Sequence, residues 1–104
     1  MELEMAKKGY WIAHVNITNP ERYKDYIAAN AAPLGKYGAR FLVRAGDNIL
    51  PEGQLLGGRR HAVIEFESYA VARACYESPE YQAALRIREE ASTGEFVIIE
   101  GYEG

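Results

Sequence analysis

Tyr10-Trp11-Ile12-Ala13-His14-Val15-Asn16-Ile17, followed at once by Thr18-Asn19-Pro20-Glu21, decides the fold. The first eight residues are rich in aromatic and β-branched side chains and read as a strand. The next four start a helix: a capping side chain, proline at the first helical position, then an acid near the positive helix end. Tyr23, Tyr26, Ile27, Asn30, Ala31, Leu34 and Tyr37 then fall at three- and four-residue steps on one helix face. Pro33 should kink this helix or split off its last turn. Gly38 should end it, because glycine readily takes the left-handed cap conformation.

Ala39 to Ala45 reads as a second strand. Gly46 to Arg59, with Pro51 and several glycines, reads as a long loop in which Leu55 and Leu56 pack. Arg60 to Phe66 is the third strand, and Ser68 caps a helix through Tyr76. Ser78-Pro79-Glu80 repeats the start signal, so a further helix runs from Pro79 to about Ala91, with Tyr81, Ala84, Leu85 and Arg88 facing inward. Glu95 to Tyr102 is the last strand. The order β-α-β-β-α-β is the ferredoxin-like α+β arrangement: a four-stranded antiparallel sheet with its helices on one face. Residues 1–8 read as a frayed leader, and residues 9–104 as one domain.

If the second face of that sheet met water, its strands would alternate apolar with polar. They do not. Strand one sets Tyr10, Ile12, His14 and Asn16 against Trp11, Ala13, Val15 and Ile17, and the last strand sets Val97 and Ile99 against Phe96 and Ile98. Both faces carry apolar bulk, and so short a chain has no spare element to cover one of them. A second copy is the simplest cover, so the expected assembly is a homodimer.

Composition narrows the function classes. Of 104 residues, 48% are hydrophobic and 26% charged, as in ordinary globular proteins. The net charge of −3 argues against nucleic acid, whose phosphates want a basic face. Cys75 is the one cysteine, so no internal disulfide forms and the stapled secreted class is excluded. No apolar run approaches the ~20 residues of a membrane span. No signal-type apolar region opens the chain. The expected location is cytoplasmic.

Several segments together resemble one family. They are Gly9 to Val15, Asn19-Pro20-Glu21-Arg22-Tyr23, Tyr37 to Arg44, Val63-Ile64-Glu65-Phe66-Glu67-Ser68 and Tyr76-Glu77-Ser78-Pro79-Glu80-Tyr81. The chain resembles, from about Gly9 to Gly104, the family known as domain of unknown function 1330. Glu67 stands where that family usually has proline. The resemblance implies a dimeric α+β barrel, in which two ferredoxin-like sheets face each other. Relatives of this fold include antibiotic-biosynthesis-type monooxygenases, muconolactone-isomerase-like proteins and haem-binding chlorite dismutases. The family has no agreed activity, and fold does not transfer function.

Two clusters could carry chemistry. His14, Arg44 and Glu65, with His61 beside them and Arg40 at the rim, are expected on the open sheet face. There the histidine could exchange a proton, the carboxylate orient it and the arginine hold an anionic oxygen. The same residues could equally pair across a dimer seam. Trp11, Tyr23, Tyr26 and Asn30 could line an aromatic substrate pocket between sheet and helices, or simply be core. His14, His61 and Glu65 form a conceivable metal set, but no H-x-x-x-H spacing supports it. The chemistry expected therefore uses neither a metal nor an organic cofactor, on a small oxygenated molecule. The alternative is a non-catalytic ligand-binding or structural dimer. Cys75 reads as a buried small hydrophobe. Gly57-Gly58-Arg59-Arg60 reads as a solvated loop, because it lacks the strand–loop–helix setting of a phosphate loop.

Overall fold

The computed structural model describes residues 7–54 and 60–103. Its elements are β1 (Gly9–Ile17), α1 (Pro20–Lys36), β2 (Arg40–Arg44), β3 (Arg60–Phe66), α2 (Tyr69–Glu77), α3 (Pro79–Ala91) and β4 (Ser92–Glu100). Residues 1–6 of the expected leader, Leu55, Leu56 and the Gly57-Gly58-Arg59 run lie outside the described residues. Lys8 is already tied in, its carbonyl accepting the Gly101 N–H at 2.7 Å.

Local chemistry sets the helix boundaries. Asn19 caps α1 by accepting the Arg22 N–H at 3.1 Å, and Pro20 follows it. Ser68 caps α2 through the Val71 N–H. Ser78 both ends α2 and starts α3: its hydroxyl donates to the Cys75 carbonyl at 2.7 Å and accepts the Tyr81 N–H at 3.1 Å. Gly38, at φ 69°, turns the chain out of α1 as expected. Pro33 does not split α1. The helix runs on to Lys36, with the Pro33 carbonyl accepting the Tyr37 N–H at 3.1 Å. Proline's ring is fully buried and its carbonyl also takes the Cys75 thiol, so packing offsets the lost hydrogen bond.

The strands are ordered β2-β3-β1-β4, all antiparallel. Directly paired residues share a face, so the register sorts the sheet into rows. The helix-side rows are Phe41–Ile64–Trp11–Ile98, then Arg44–Ala62–Ala13–Phe96, then Arg60–Val15–Gly94. Trp11 anchors this side. Its ring packs against Phe66, Tyr76, Tyr81 and Phe96, and its indole N–H donates to the Ala72 carbonyl at 2.9 Å. The open-face rows are Arg40–Glu65–Tyr10–Ile99, then Val43–Val63–Ile12–Val97, then His61–His14–Glu95.

Two strand expectations change. β4 begins at Ser92 rather than Glu95, because Ser92, Thr93 and Gly94 continue the ladder with Ile17, Asn16 and Val15. A side chain on Gly94 would run into the backbone of His14 and Val15, which is why a glycine stands inside the strand. The second change concerns Arg44. A register shift between Phe41 and Val43 inserts one residue into β2. Uninterrupted alternation would keep Arg40 and Arg44 on one face. The bulge sends Arg40 to the open face and Arg44 to the helix side.

Candidate functional site

The helix-side cavity arises from two small residues. Ala13 and Ala62 sit side by side at the centre of the sheet, where their neighbours are Phe41, Ile64, Val15 and Phe96. Their short side chains leave a cavity of about 40 Å³ beneath α1, with Tyr23, Tyr26, Ile27 and Asn30 above it. That is room for one or a few waters. Tyr23 and Tyr26 are buried, and their rings tilt against each other with centroids 5.3 Å apart.

Arginines mark the mouth. Arg44 lies over the Phe41 ring at 4.5 Å, and Arg60 over the Tyr23 ring at 5.4 Å. Among the described residues, no carboxylate lines the cavity. Among the described residues, neither arginine has an ion-pair partner. Two guanidiniums beside a half-apolar cavity favour a ligand carrying an anionic oxygen.

Behind the cavity, the Tyr26 and Tyr81 hydroxyls share a hydrogen bond of 2.8 Å. Burial pushes the Tyr26 phenol up, opposed by hydrogen bonds from Tyr81 and Asn30 and by the Arg88 charge. Burial, joined by the Tyr26 charge, pushes Tyr81 up as well. Both are neutral donors and acceptors near pH 7. Arg88 is 8% exposed, with its guanidinium carbon 4.4 Å from the Phe96 ring centroid and 5.9 Å from that of Tyr26. It pairs with no carboxylate among the described residues, and its Nε has no hydrogen-bond partner. Placing a fixed cation there costs on the order of several kcal/mol, which cation–π contacts offset only in part.

The open face holds the other expected cluster. His14 and His61 face each other across β1 and β3, Nδ1 to Nδ1 at 2.9 Å. That distance requires one ring to donate and the other to accept. Glu95 stands opposite His14 on the far side. Glu65 accepts from the Tyr10 hydroxyl at 3.2 Å and pairs with Arg40 at 3.6 Å. Among the described residues, no group of three or more His, Cys, Asp or Glu is placed to hold a metal ion.

The residues singled out from sequence therefore divide between two sides of the sheet. His14, His61 and Glu65 share the open face, and Glu65 is turned toward Tyr10 and Arg40 rather than toward the histidines. Arg44 is not with them. It lines the helix-side cavity together with Tyr23, Tyr26 and Asn30, because of the bulge. Trp11 lies in the core beside the cavity and does not line it; its ring is 1% exposed. Phe41, Tyr81 and Glu95 were not singled out as site residues, and Arg60 was weighed only as part of a solvated loop. Arg60 and Phe41 could be found only with the register in hand. The isolated positive charge at Arg88 was legible on the inner face of α3, but its lack of a partner was not.

Known proteins share this architecture. A protein of unknown function from Rhodopseudomonas palustris, RPA0582, superposes with a TM-score of 0.74 at 13% identity, covering 99% of this chain and 91% of its own. Its methylated form gives 0.72 at 13% identity, with 98% and 88% covered. SnoaB, a cofactor-independent oxygenase from Streptomyces nogalater, gives 0.61 at 14% identity, with 95% and 97% covered. At these identities the likeness is one of fold: a ferredoxin-like α+β arrangement with a four-stranded antiparallel sheet. No curated protein sequence matches the chain. The family described as domain of unknown function DUF1330 matches residues 8–102, and the chain belongs to that family.

Proposed function

We propose that the protein is a homodimer that binds a small oxygenated organic anion in the cavity between sheet and helices. We propose further that it acts on this molecule as a cofactor-independent enzyme of the oxygenase or isomerase kind. The observation that carries the reading is the cavity over Ala13 and Ala62, walled by phenols and an amide and bordered by two guanidiniums that have no ion-pair partner among the described residues. Arg44 and Arg60 hold the anionic oxygen, while Tyr23, Tyr26 and Asn30 bond a second oxygen. A substrate that ionises to an enolate or phenolate has its new charge stabilised by the same groups. The cavity admits only a few heavy atoms as it stands, so a larger ligand enters by swinging Phe41 and Arg44 outward on the edge strand β2. SnoaB's description as a cofactor-independent oxygenase supports the catalytic part of the reading.

The dimer completes the sheet. Val43, Val63, Ile12 and Val97 form an apolar row across all four strands, and Val43 and Val97 stay exposed in the single chain. A second copy laid on this row removes it from water. His14, His61 and Glu65 then lie between the two sheets and hold the seam, a sheet's thickness away from the cavity. The unpaired Cys75 suits a reducing, cytoplasmic setting.

The test uses acetoacetate, an enolisable anion of few atoms, in NMR titration of the labelled protein. The reading expects saturable shifts at Ala13, Asn30 and Ala62, lost in Ala62→Leu, which fills the cavity. Deuterium uptake from solvent at the methylene carbon, faster than in buffer, then separates an enzyme from a binding protein. Absence of saturable shifts, or equal binding by the filled variant, removes the cavity from the proposal.

A further inference from the structure

Arg88 points to a second site, on the other side of Phe96 from the cavity. Between α3 and the start of β4 lies an open groove of about 450 Å³, within the range of ligand sites. Arg88 forms part of its wall, with Tyr76, Leu85, Phe96 and the short residues Ser92, Thr93 and Gly94. Arginine stays protonated at any ordinary pH, so the groove contains a permanent positive charge. That charge is more than nine-tenths buried, and its Nε is left without a hydrogen-bond partner.

The nearby groups do not neutralise it. Glu89 is at the rim, exposed, and makes no ion pair with Arg88, as adjacent residues on a helix point in different directions. Glu90 is engaged by Arg22 at 2.9 Å. The Ser92 hydroxyl donates to the Arg88 carbonyl at 2.9 Å. The Tyr26 and Tyr81 hydroxyls bond each other, and the Tyr81 hydroxyl, which also meets the guanidinium, is neutral and cannot balance its charge. Around the guanidinium stand the face of Phe96, the rings of Tyr76 and Tyr26, and the neutral Tyr81 hydroxyl, while Nε keeps no partner. A planar cation stacked on an aromatic wall, with a donor edge unused, is suited to a carboxylate carried on a flat apolar body.

We propose that this groove binds a small aromatic or unsaturated monocarboxylate, with Arg88 taking the carboxylate and Tyr76, Leu85 and Phe96 packing the body. The site is independent of the cavity over Ala13 and Ala62, and the two can fail separately. Benzoate is the probe, with benzamide as its neutral counterpart of the same shape, titrated into the full chain and followed by NMR. Benzoate should shift Leu85, Thr93 and Gly94 amides saturably, and benzamide should bind about tenfold more weakly or worse, since it lacks the charge-assisted pair. Arg88→Lys should also weaken benzoate by about tenfold, because a point charge does not reproduce the guanidinium fork. If that variant does not fold, the two probes on the unaltered protein still decide. Equal binding of benzoate and benzamide overturns the site. So do benzoate shifts confined to Ala13 and Ala62, or no saturable binding at all.

Discussion

In the proposed dimer, replacing Val97 by aspartate should separate the two subunits without unfolding either. In the single chain Val97 keeps 46% of its surface, so a partner sheet has about half a valine left to bury. Full burial of such a side chain is worth about 1.5–3 kcal/mol, which leaves about 1 kcal/mol to be gained at the seam. Aspartate forfeits that and adds a carboxylate to the apolar row of Val43, Val63 and Ile12. Desolvating it unpaired costs about 2 kcal/mol more. Two-fold symmetry counts the change twice, so the total is about 6 kcal/mol, or about four powers of ten in Kd. Sedimentation velocity at micromolar concentration reads this directly: the native chain should run at twice its 11.7 kDa mass, and Val97→Asp at the single mass. Circular dichroism checks that the variant is folded, which the exposure of Val97 allows. A variant that still sediments as the dimer would refute the reasoning. So would a native chain that runs as a monomer, because the apolar row then has no partner sheet.

Other outcomes follow from single features. Ala45 sits at φ 56°, a left-handed conformation that costs a residue with a Cβ about 1 kcal/mol. Ala45→Gly should therefore raise stability in urea by several tenths of a kcal/mol after glycine's extra unfolded-state entropy, and a loss of stability would show the strain to be absent. Tyr81→Phe leaves the buried Tyr26 hydroxyl without its 2.8 Å partner beside a buried cation. It should cost about 1–2 kcal/mol, lowering the urea midpoint by about 1 M, and an unchanged midpoint would count against that bond. Burial pushes the Cys75 thiol up to about 12 from 9.0. The unfolded thiol ionises first as pH rises, so the folded state holds the extra proton between about 9 and about 12 and loses stability across that window. A disulfide reagent at pH 8 should label Cys75 only in denaturant, and rapid labelling of the native protein would contradict its burial.

The fold was legible because its signals are local and agree with one another. Asn19-Pro20, Ser68 and Ser78-Pro79 each put a cap where a helix begins, and a cap acts within three or four residues of itself. The period-two pattern of β1 put Trp11, Ala13 and Val15 on one side, and those are the residues the helices cover. The errors came where distant chain decided the local outcome. Ser92, Thr93 and Gly94 look like a turn when read alone. They are strand because Ile17, Asn16 and Val15 offer a ladder for them to complete. Pro33 looks like a break, and α1 continues because the ring is fully buried and the Pro33 carbonyl is held by both the Tyr37 N–H and the Cys75 thiol.

The candidate site was half legible, for a reason that a single residue explains. Tyr23, Tyr26 and Asn30 share a helix face, and helical spacing alone brings them together. Placing Arg44 requires counting along a strand, where one inserted residue reverses every later side chain. The insertion falls between Phe41 and Val43, and nothing in Arg40-Phe41-Leu42-Val43-Arg44 announces it. Its effect reaches both faces. Val43 joins the apolar row and extends it to the edge strand, while Arg44 crosses to the row of Ala62 and Ala13 and meets Arg60 at the cavity mouth. Without the bulge, Leu42 would stand beside Val63 in the apolar row, Val43 beside Ala62 at the cavity mouth, and Arg44 beside His61 on the open face. One extra residue in an edge strand thus moves a cation from the open face to the mouth of the cavity and leaves the apolar row intact.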